Sequence, residues 1–176
     1  MTELGRLSAL VRALPDPEIP VISLGDLGIV RAVSFEGPNP VVMLTPTYSG
    51  CPATEAIRDT VAQTLRDAGY PTPRIDIVLA PPWSTSWISE QGRRKLHDYG
   101  IAPPLDDELR AQHAAQRLAG DTRLPETKLV SFYRKLACPR CGANDVEQLS
   151  AYGSTPCKSL YRCRACREPF DYFKPY

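Results

Sequence analysis

The sequence predicts an α+β fold, in which a small mixed β-sheet packed with helices is followed by a small C-terminal zinc ribbon. Two observations support this prediction. Apolar runs rich in β-branched residues alternate with segments of helical periodicity over residues 2–104. Five of the six cysteines then lie beyond residue 137, which indicates a second module with its own chemistry. The intervening residues 105–128 are predicted to be a linker, with a solvated helix at 106–118.

The first elements follow from periodicity and from the residues that interrupt it. Leucines and a valine at helical spacing predict a helix at 2–14, and the prolines that follow end it. Strands are predicted at 29–35 and 41–45. The residues between them are rich in glycine and proline, so the two strands are expected to form a hairpin.

The next elements complete the predicted sheet. An amphipathic helix is predicted at 53–65, where three large apolar residues share one face. A strand at 74–79 follows this helix, so we expect it to run parallel to one of the hairpin strands. Ser86 or Ser89 is predicted to cap a last helix that ends near Gly100.

The composition limits the classes of function. The chain has 176 residues and a formal net charge of +1, which argues against a strongly polyanionic partner. No apolar run is long enough to span a bilayer, and the N-terminus lacks a signal-peptide pattern. We therefore expect a cytoplasmic protein with no nucleic-acid or membrane partner. Its cysteines are expected to bind metal or do chemistry rather than form structural disulfides.

Cys51 is predicted to lie at a turn between a buried strand and a helix. A helix N-terminus stabilises a thiolate, so this position predicts a depressed pKa and a role as nucleophile or soft-metal ligand. The alternative is a small buried hydrophobic residue, as free cysteines often are. Thr45 and Thr47 are predicted to line the same loop.

Residues 16–30 combine two acids and two glycines with an apolar segment. Local physical chemistry favours turn roles for them. Asp16 is then a cap or turn acceptor, and Gly28 adopts a special backbone angle.

The tail contains two Cys-x-x-Cys pairs, Cys138 with Cys141 and Cys163 with Cys166. Two such pairs in a short segment predict a tetrahedral thiolate site for a structural Zn²⁺ ion. A strand at 129–133 is expected to lead into the first pair, and a hairpin to lie between the pairs. So small a segment buries little core, so the metal is expected to supply folding free energy.

Cys157 is an additional thiol in the tail. It is a fifth thiol beside the zinc, an alternative ligand, a partner of Cys51 in holding iron, or a buried spectator. Lys158 beside it would stabilise a thiolate. Arginines surround the two cysteine pairs, but acids are interspersed among them, so nucleic-acid binding is not predicted.

Several separated motifs resemble those of a known family. The chain is similar to the MIP18-like (DUF59) family of iron–sulfur assembly factors at Asp16-Pro17-Glu18-Ile19-Pro20, Asp26-Leu27-Gly28-Ile29-Val30, Thr45-Pro46-Thr47 and Gly50-Cys51-Pro52. It resembles a narrower group, the PaaD components of the phenylacetyl-CoA epoxidase system, at Pro81-Pro82-Trp83, Ile88-Ser89-Glu90-Gln91-Gly92 and Tyr99-Gly100-Ile101-Ala102-Pro103-Pro104. The cysteine tail belongs to the same pattern.

The resemblance implies three segments: a MIP18-like domain at 1–104, the linker at 105–128 and a zinc-ribbon-like domain at 129–176. It implies a maturation factor, not itself catalytic, that helps insert iron or an iron–sulfur cluster into a client. The implied client is the iron–sulfur reductase component of the epoxidase, and the di-iron oxygenase component is the second choice. The alternative is a structural or regulatory subunit with no metal transfer, and a thiol enzyme is a third, weaker interpretation.

The resemblance also implies roles for individual residues. Cys51 would be the transient ligand for iron or a cluster, and a second subunit, such as a second copy in a homodimer, would complete the site. The residues expected to shape its pocket are Asp16, Glu18, Asp26, Thr45 and Thr47. The residues expected to hold zinc are Cys138, Cys141, Cys163 and Cys166, with Cys157 as an accessory ligand.

Overall fold

A computed structural model describes residues 2–104 and 136–175 of the chain. The chain divides into two compact units, one within residues 1–95 and one within residues 96–175. The domain boundaries expected from the sequence remain a prediction. None of the helices in the described ranges has both the length and the apolarity needed to cross a membrane.

The first unit is a three-stranded sheet with helices packed against it. Its elements are α1 (Glu3–Ala13), β1 (Val30–Glu36), β2 (Asn39–Leu44), α2 (Ala53–Asp67), β3 (Arg74–Ile77), a 3-10 turn (Thr85–Trp87) and α3 (Glu90–Tyr99), which begins in this unit. β1 and β2 form an antiparallel hairpin, and β3 lies parallel to β2. The predicted mixed sheet, with its hairpin and parallel third strand, is therefore confirmed.

The helices of this unit follow the local signals in the sequence. Helix α1 begins where the Thr2 hydroxyl accepts a hydrogen bond from the Gly5 N–H at 3.2 Å. Leu7 and Val11 lie about one turn apart on α1 and are buried, which places that face of the helix in the core. The three apolar residues predicted to share a face of α2 are likewise buried.

The connection between α1 and β1 belongs to the core. Its side chains Ile22, Leu24 and Leu27 are each at most 2% exposed. Gly28 has φ +73°, and a Cβ atom there would lie 2.5 Å from the backbone oxygen of Trp87. The special backbone angle predicted for Gly28 is therefore confirmed, and a larger residue would displace the 3-10 turn.

The last helix of the first unit is capped by one of the two predicted serines. Ser89 accepts a hydrogen bond from the Gly92 N–H at 2.9 Å and so caps α3. Ser86 instead donates its backbone N–H to the Ser84 hydroxyl at the start of the 3-10 turn. Gly100 follows α3 with φ +91°, as its predicted role in ending the helix requires.

The second unit is a four-stranded sheet with a small core. Its strands are β4 (Ile101–Ala102), β5 (Val146–Ser150), β6 (Lys158–Cys163) and β7 (Pro169–Phe173). Their order is β4-β7-β6-β5, with β4 parallel to β7 and the other pairs antiparallel. The predicted hairpin between the two cysteine pairs is confirmed as β5 and β6. The helix predicted at 106–118 and the strand predicted at 129–133 lie outside the described residues.

Candidate metal and thiol sites

Four cysteine sulfurs converge in the second unit. The Sγ atoms of Cys138, Cys141, Cys163 and Cys166 all lie within 4.8 Å of one another. Cys138 and Cys166 have their Sγ atoms 3.8 Å apart, and Cys141 and Cys163 have theirs 3.6 Å apart. A tetrahedral site with metal–sulfur bonds of about 2.3 Å places its sulfurs roughly 3.8 Å apart. The geometry therefore fits one four-coordinate thiophilic ion such as Zn²⁺.

Tight turns present these sulfurs. In the first pair, the Gly142 N–H donates to the Cys138 carbonyl oxygen at 2.8 Å, and φ +74° at Gly142 closes the turn. In the second, Cys163 ends β6, and the Cys166 N–H points at its sulfur at 3.5 Å. All six cysteines of the chain are free of disulfides, so the four thiols are available to a metal.

Two thiols of this group, Cys163 and Cys166, have shifted pKa values. The backbone N–H of Cys166 is the main reason that the pKa of Cys163 falls to about 7. At Cys166, a backbone hydrogen bond at Glu168 favours the thiolate, but desolvation and the three neighbouring thiols together raise the pKa to about 12. Four thiolates therefore coexist here only when a cation compensates their charge.

Cys157 lies outside this group of four sulfurs. It is buried, and its sulfur is 3.0 Å from the Thr155 hydroxyl. The ammonium of the neighbouring Lys158 contacts the Asp171 carboxylate at 3.0 Å. The lysine expected to stabilise a Cys157 thiolate is therefore engaged with an acid. The accessory role suggested for Cys157 remains a prediction.

Cys51 is half-buried at the turn between β2 and α2, where the sequence predicted it. Desolvation by burial raises the pKa of its thiol above the ordinary value. A backbone hydrogen bond at Ala53 lowers the pKa, but the negative charges of Glu18 and Asp16 raise it further. The predicted depressed pKa is therefore wrong, because burial and two acids outweigh the N-terminus of α2.

The acids near Cys51 come from the core connection between α1 and β1. Asp16 is 7% exposed, and its Oδ1 accepts hydrogen bonds from the Glu18 N–H at 2.9 Å and the Ile19 N–H at 2.8 Å. The turn role predicted for Asp16 is confirmed. The same turn holds Glu18, which is half-buried, close enough to Cys51 for its charge to act on the thiol.

A cavity of about 270 Å³ opens beside the same loop, and we call it the threonine cavity. Its lining consists of Thr45, Pro46, Thr47, Tyr48, Ser49, Leu79, Pro82 and Trp83. Thr45 is 1% exposed, and its hydroxyl has no hydrogen-bond partner among the described residues. An unpaired buried hydroxyl is costly unless an occupant of the cavity meets it. Leu79, Pro82 and Trp83 were not predicted, although the Pro81-Pro82-Trp83 motif pointed to this segment.

Asp26, the remaining predicted pocket residue, does not line the threonine cavity. Its carboxylate receives hydrogen bonds from Ser23 at 2.9 Å, Ser89 at 2.8 Å and Lys95 at 2.6 Å. Desolvation would raise the pKa of Asp26, but these three hydrogen bonds together lower it. Asp26 therefore ties the core connection to the start of α3, while Asp16 and Glu18 are the acids placed near Cys51.

Comparison with known proteins matches both parts of the chain to family models. Residues 6–71 match a model described as an iron–sulfur cluster assembly protein. Residues 123–174 match a model described as the PaaD zinc beta ribbon domain. A protein of Escherichia coli (strain K12), named as the D component of a "Putative 1,2-phenylacetyl-CoA epoxidase", is 40% identical over 94% of this chain and 89% of its own length.

Three solved structures are similar to about half of the chain. A domain of unknown function DUF59 from Bacillus anthracis is 29% identical, covers 53% of this chain and 90% of its own, and has a TM-score of 0.48. A conserved hypothetical protein from Thermotoga maritima is 23% identical, covers 55% of this chain and 94% of its own, and has a TM-score of 0.44. A Mycobacterium tuberculosis protein is described as associated with Fe–S complex assembly and repair. It is 30% identical, covers 55% of this chain and 85% of its own, and has a TM-score of 0.34.

Proposed function

Because the chain belongs to the PaaD family of phenylacetyl-CoA epoxidase components, we propose that it is a maturation factor for such an epoxidase. It assists the insertion of iron or an iron–sulfur cluster into a client subunit, and the proposed client is the iron–sulfur reductase component. The observation that carries the proposal is the half-buried Cys51 thiol held near Glu18 and Asp16.

The electrostatics of this thiol favour a metal over a nucleophilic role. Two carboxylates and partial burial make the free thiolate of Cys51 costly, so at neutral pH the sulfur keeps its proton. The same carboxylates attract a cation. When iron arrives, the sulfur–iron bond forms as the proton leaves, and the negative charges stabilise the product. This behaviour argues against a thiol enzyme, which needs its thiolate before the substrate arrives.

A carrier site also has to release its cargo. Cys51 is one thiol with two acids, and this set is not a closed ligand group. Among the described residues, three or more possible ligand atoms lie close together only in the four ribbon cysteines, so Cys51 belongs to no such group. We infer that the remaining ligands come from the client or from a second copy of the chain. Anaerobic light scattering of the iron-loaded protein separates a homodimer from a monomer that waits for its client.

The ribbon is proposed to hold zinc as a structural ion. The four sulfur atoms support this assignment because they already lie at tetrahedral separations. The buried core of the ribbon is small, so a metal that binds the folded state supplies much of its stability. Zinc undergoes no redox change, which suits a scaffold.

The test is the metal and acid-labile sulfide content of protein purified without oxygen, as wild type and as Cys51→Ser. Cys157→Ser is the matched control, because Cys157 is also a thiol outside the ribbon site. We expect about one zinc per chain in all three proteins. Iron and sulfide should accompany zinc in the wild type and in the control, and should be lost in Cys51→Ser.

Client activity provides the second half of this test. Reconstituted epoxidase should lose activity under limiting iron when Cys51→Ser replaces the wild type, while binding between the two proteins persists. Iron that survives Cys51→Ser, or client activity unchanged by it, would overturn the proposal.

A structural or regulatory subunit without metal transfer is the second candidate function. The observation that favours it is the incomplete ligand set around Cys51 in a single chain. This candidate requires a stable stoichiometric complex with the epoxidase, zinc without iron or sulfide, and indifference to Cys51→Ser.

A further inference from the structure

The two cysteine turns of the ribbon differ at one position. The residue after the second cysteine adopts a left-handed backbone in both, with φ +74° at Gly142 and φ +67° at Arg167. Glycine adopts this conformation freely, whereas a residue with a Cβ atom is strained there. Arg167 is the only residue other than glycine with positive φ in the described part of the chain. Its side chain is therefore present at a cost to the fold.

Arg167 lines the same cavity as two other arginines. Arg162, Arg164 and Arg167 line a cavity of about 390 Å³ together with Glu147 and Cys163, and we call it the arginine pocket. Glu147 accepts hydrogen bonds from Arg162 at 2.7 Å and from Arg164 at 3.1 Å, which fixes their orientation. Arg167 has no ion pair or hydrogen bond with any described residue.

We propose that the arginine pocket binds carboxylates of an acidic segment on a partner protein. Three arginines and one acid line the pocket, so its lining carries more positive than negative charge. A guanidinium presents its N–H groups in a planar fork that matches a carboxylate in two parallel hydrogen bonds. The partner is taken to be the client subunit, and this identification rests on the proposed function.

The surroundings favour a protein segment over a nucleic acid. Two exposed acids adjoin the lining of the pocket in the sequence, because Asp145 lies two residues before Glu147 and Glu168 directly follows Arg167. The carboxylate of Asp145 also contacts Arg164 at 3.8 Å. These acids would repel a continuous phosphate backbone, and the whole chain has a net charge of only +1. A single acidic side chain that enters the pocket avoids these two neighbouring acids.

A competing role for these arginines is to neutralise the four nearby thiolates. That role requires zinc retention to fall when Arg167 is changed and does not require an external ligand. Two variants separate the roles. Arg167→Gly removes both the side chain and the strain, and Arg167→Ala removes the side chain but keeps the strain. Arg140→Ala is the control, because Arg140 lies beside the first cysteine pair and outside the pocket.

The experiment measures binding of fluorescein-labelled hexaglutamate to the full zinc-loaded chain by fluorescence anisotropy. Both Arg167 variants should weaken binding by about tenfold, the size expected for a lost hydrogen bond between charged groups. Arg167→Gly should also raise the melting temperature of the ribbon, and Arg140→Ala should change neither quantity. The rate of zinc release to a chelator should be the same in all four proteins.

Three results would overturn the proposal. One is unchanged hexaglutamate affinity in both Arg167 variants. Another is faster zinc release in those variants without loss of binding, which would assign the arginines to the thiolates. The third is tighter binding of a single-stranded oligonucleotide or of inorganic phosphate. The Cys51→Ser protein should bind hexaglutamate normally, so failure of metal transfer and failure of the arginine pocket are distinguishable. Association with the purified reductase component should weaken in Arg167→Gly as hexaglutamate binding does.

Discussion

The four-cysteine group of the ribbon and the single thiol of Cys51 differ in how many possible metal ligands the chain brings together. In the ribbon, four sulfurs lie within 4.8 Å of one another, so the protein supplies every ligand of a tetrahedral ion. At Cys51, the charges of two carboxylates act on one thiol, and among the described residues these groups are not close enough together to hold an ion by themselves. A complete set holds its metal permanently, whereas an incomplete set exchanges it with a partner that brings the missing ligands. This difference underlies the two roles proposed here, a structural metal in the ribbon and a transported one at Cys51.

The largest expected loss of stability is confined to the ribbon. Cys138→Ser removes a buried ligand, and structural zinc sites contribute on the order of 10 kcal/mol of binding free energy at neutral pH. We expect the variant to lose zinc and its ribbon to unfold. Zinc content measures the first, and loss of dispersed amide signals of residues 136–175 in the NMR spectrum measures the second. Residues 2–95 should keep their signals. A variant that still holds one zinc with a folded ribbon would show that three sulfurs suffice. Cys157→Ser should retain zinc.

A smaller effect concerns the first unit and depends on pH. Asp26→Asn weakens hydrogen bonds to a carboxylate that is 12% exposed, so we expect a loss of about 1–3 kcal/mol at neutral pH. Because the folded pKa of Asp26 lies below its unfolded value of about 3.9, this stabilisation is present above that value. It is lost as the pH falls through the folded pKa.

Urea unfolding at several pH values measures this dependence. The difference between the wild type and Asp26→Asn should shrink towards zero as the medium becomes acidic. Asp59→Asn, on the exposed face of α2, is the control and should show a small difference at every pH. A difference for Asp26→Asn that grows on acidification would show that the carboxylate is strained rather than stabilised.

The smallest effect has the opposite sign and concerns the threonine cavity. Thr45→Val replaces a buried, unpaired hydroxyl by a methyl group of similar shape, so we expect stabilisation by about 1 kcal/mol. Thr47→Val is the matched control, because Thr47 lines the same cavity and is half-buried. Urea midpoints measure both. Destabilisation by Thr45→Val would mean that a bound water or another group already satisfies the hydroxyl.

The ribbon illustrates how far sequence alone reaches. The spacing of two Cys-x-x-Cys pairs is local, and the chain has few ways to place four such sulfurs except around one ion. The predicted hairpin between the pairs and the turn roles of Asp16 and Gly28 are likewise confirmed, because each depends on residues close together in the sequence. The mixed sheet of the first unit is also confirmed, because a strand that returns after a helix commonly pairs in parallel with an earlier one.

The chemistry at Cys51 was decided by tertiary structure. The position at a strand-to-helix turn followed from sequence, but the direction of its pKa shift did not. That shift arises from burial and from the charges of Glu18 and Asp16, which the fold brings from more than thirty residues away. A helix N-terminus acts locally and is visible in sequence, whereas desolvation depends on every element packed around the sulfur.

The remaining site residues separate in the same way. Asp26 stays a predicted pocket residue of Cys51, and the fold joins its carboxylate to Ser89 and Lys95, which lie more than sixty residues away along the chain. The fold also brings Trp83 to the threonine cavity. Local spacing along the chain was enough to predict most helices and strands of the described ranges, the four clustered cysteines and the turns. The charges and cavities around each thiol could be read only from the folded chain, because burial and Coulomb interactions depend on distance in space rather than along the chain.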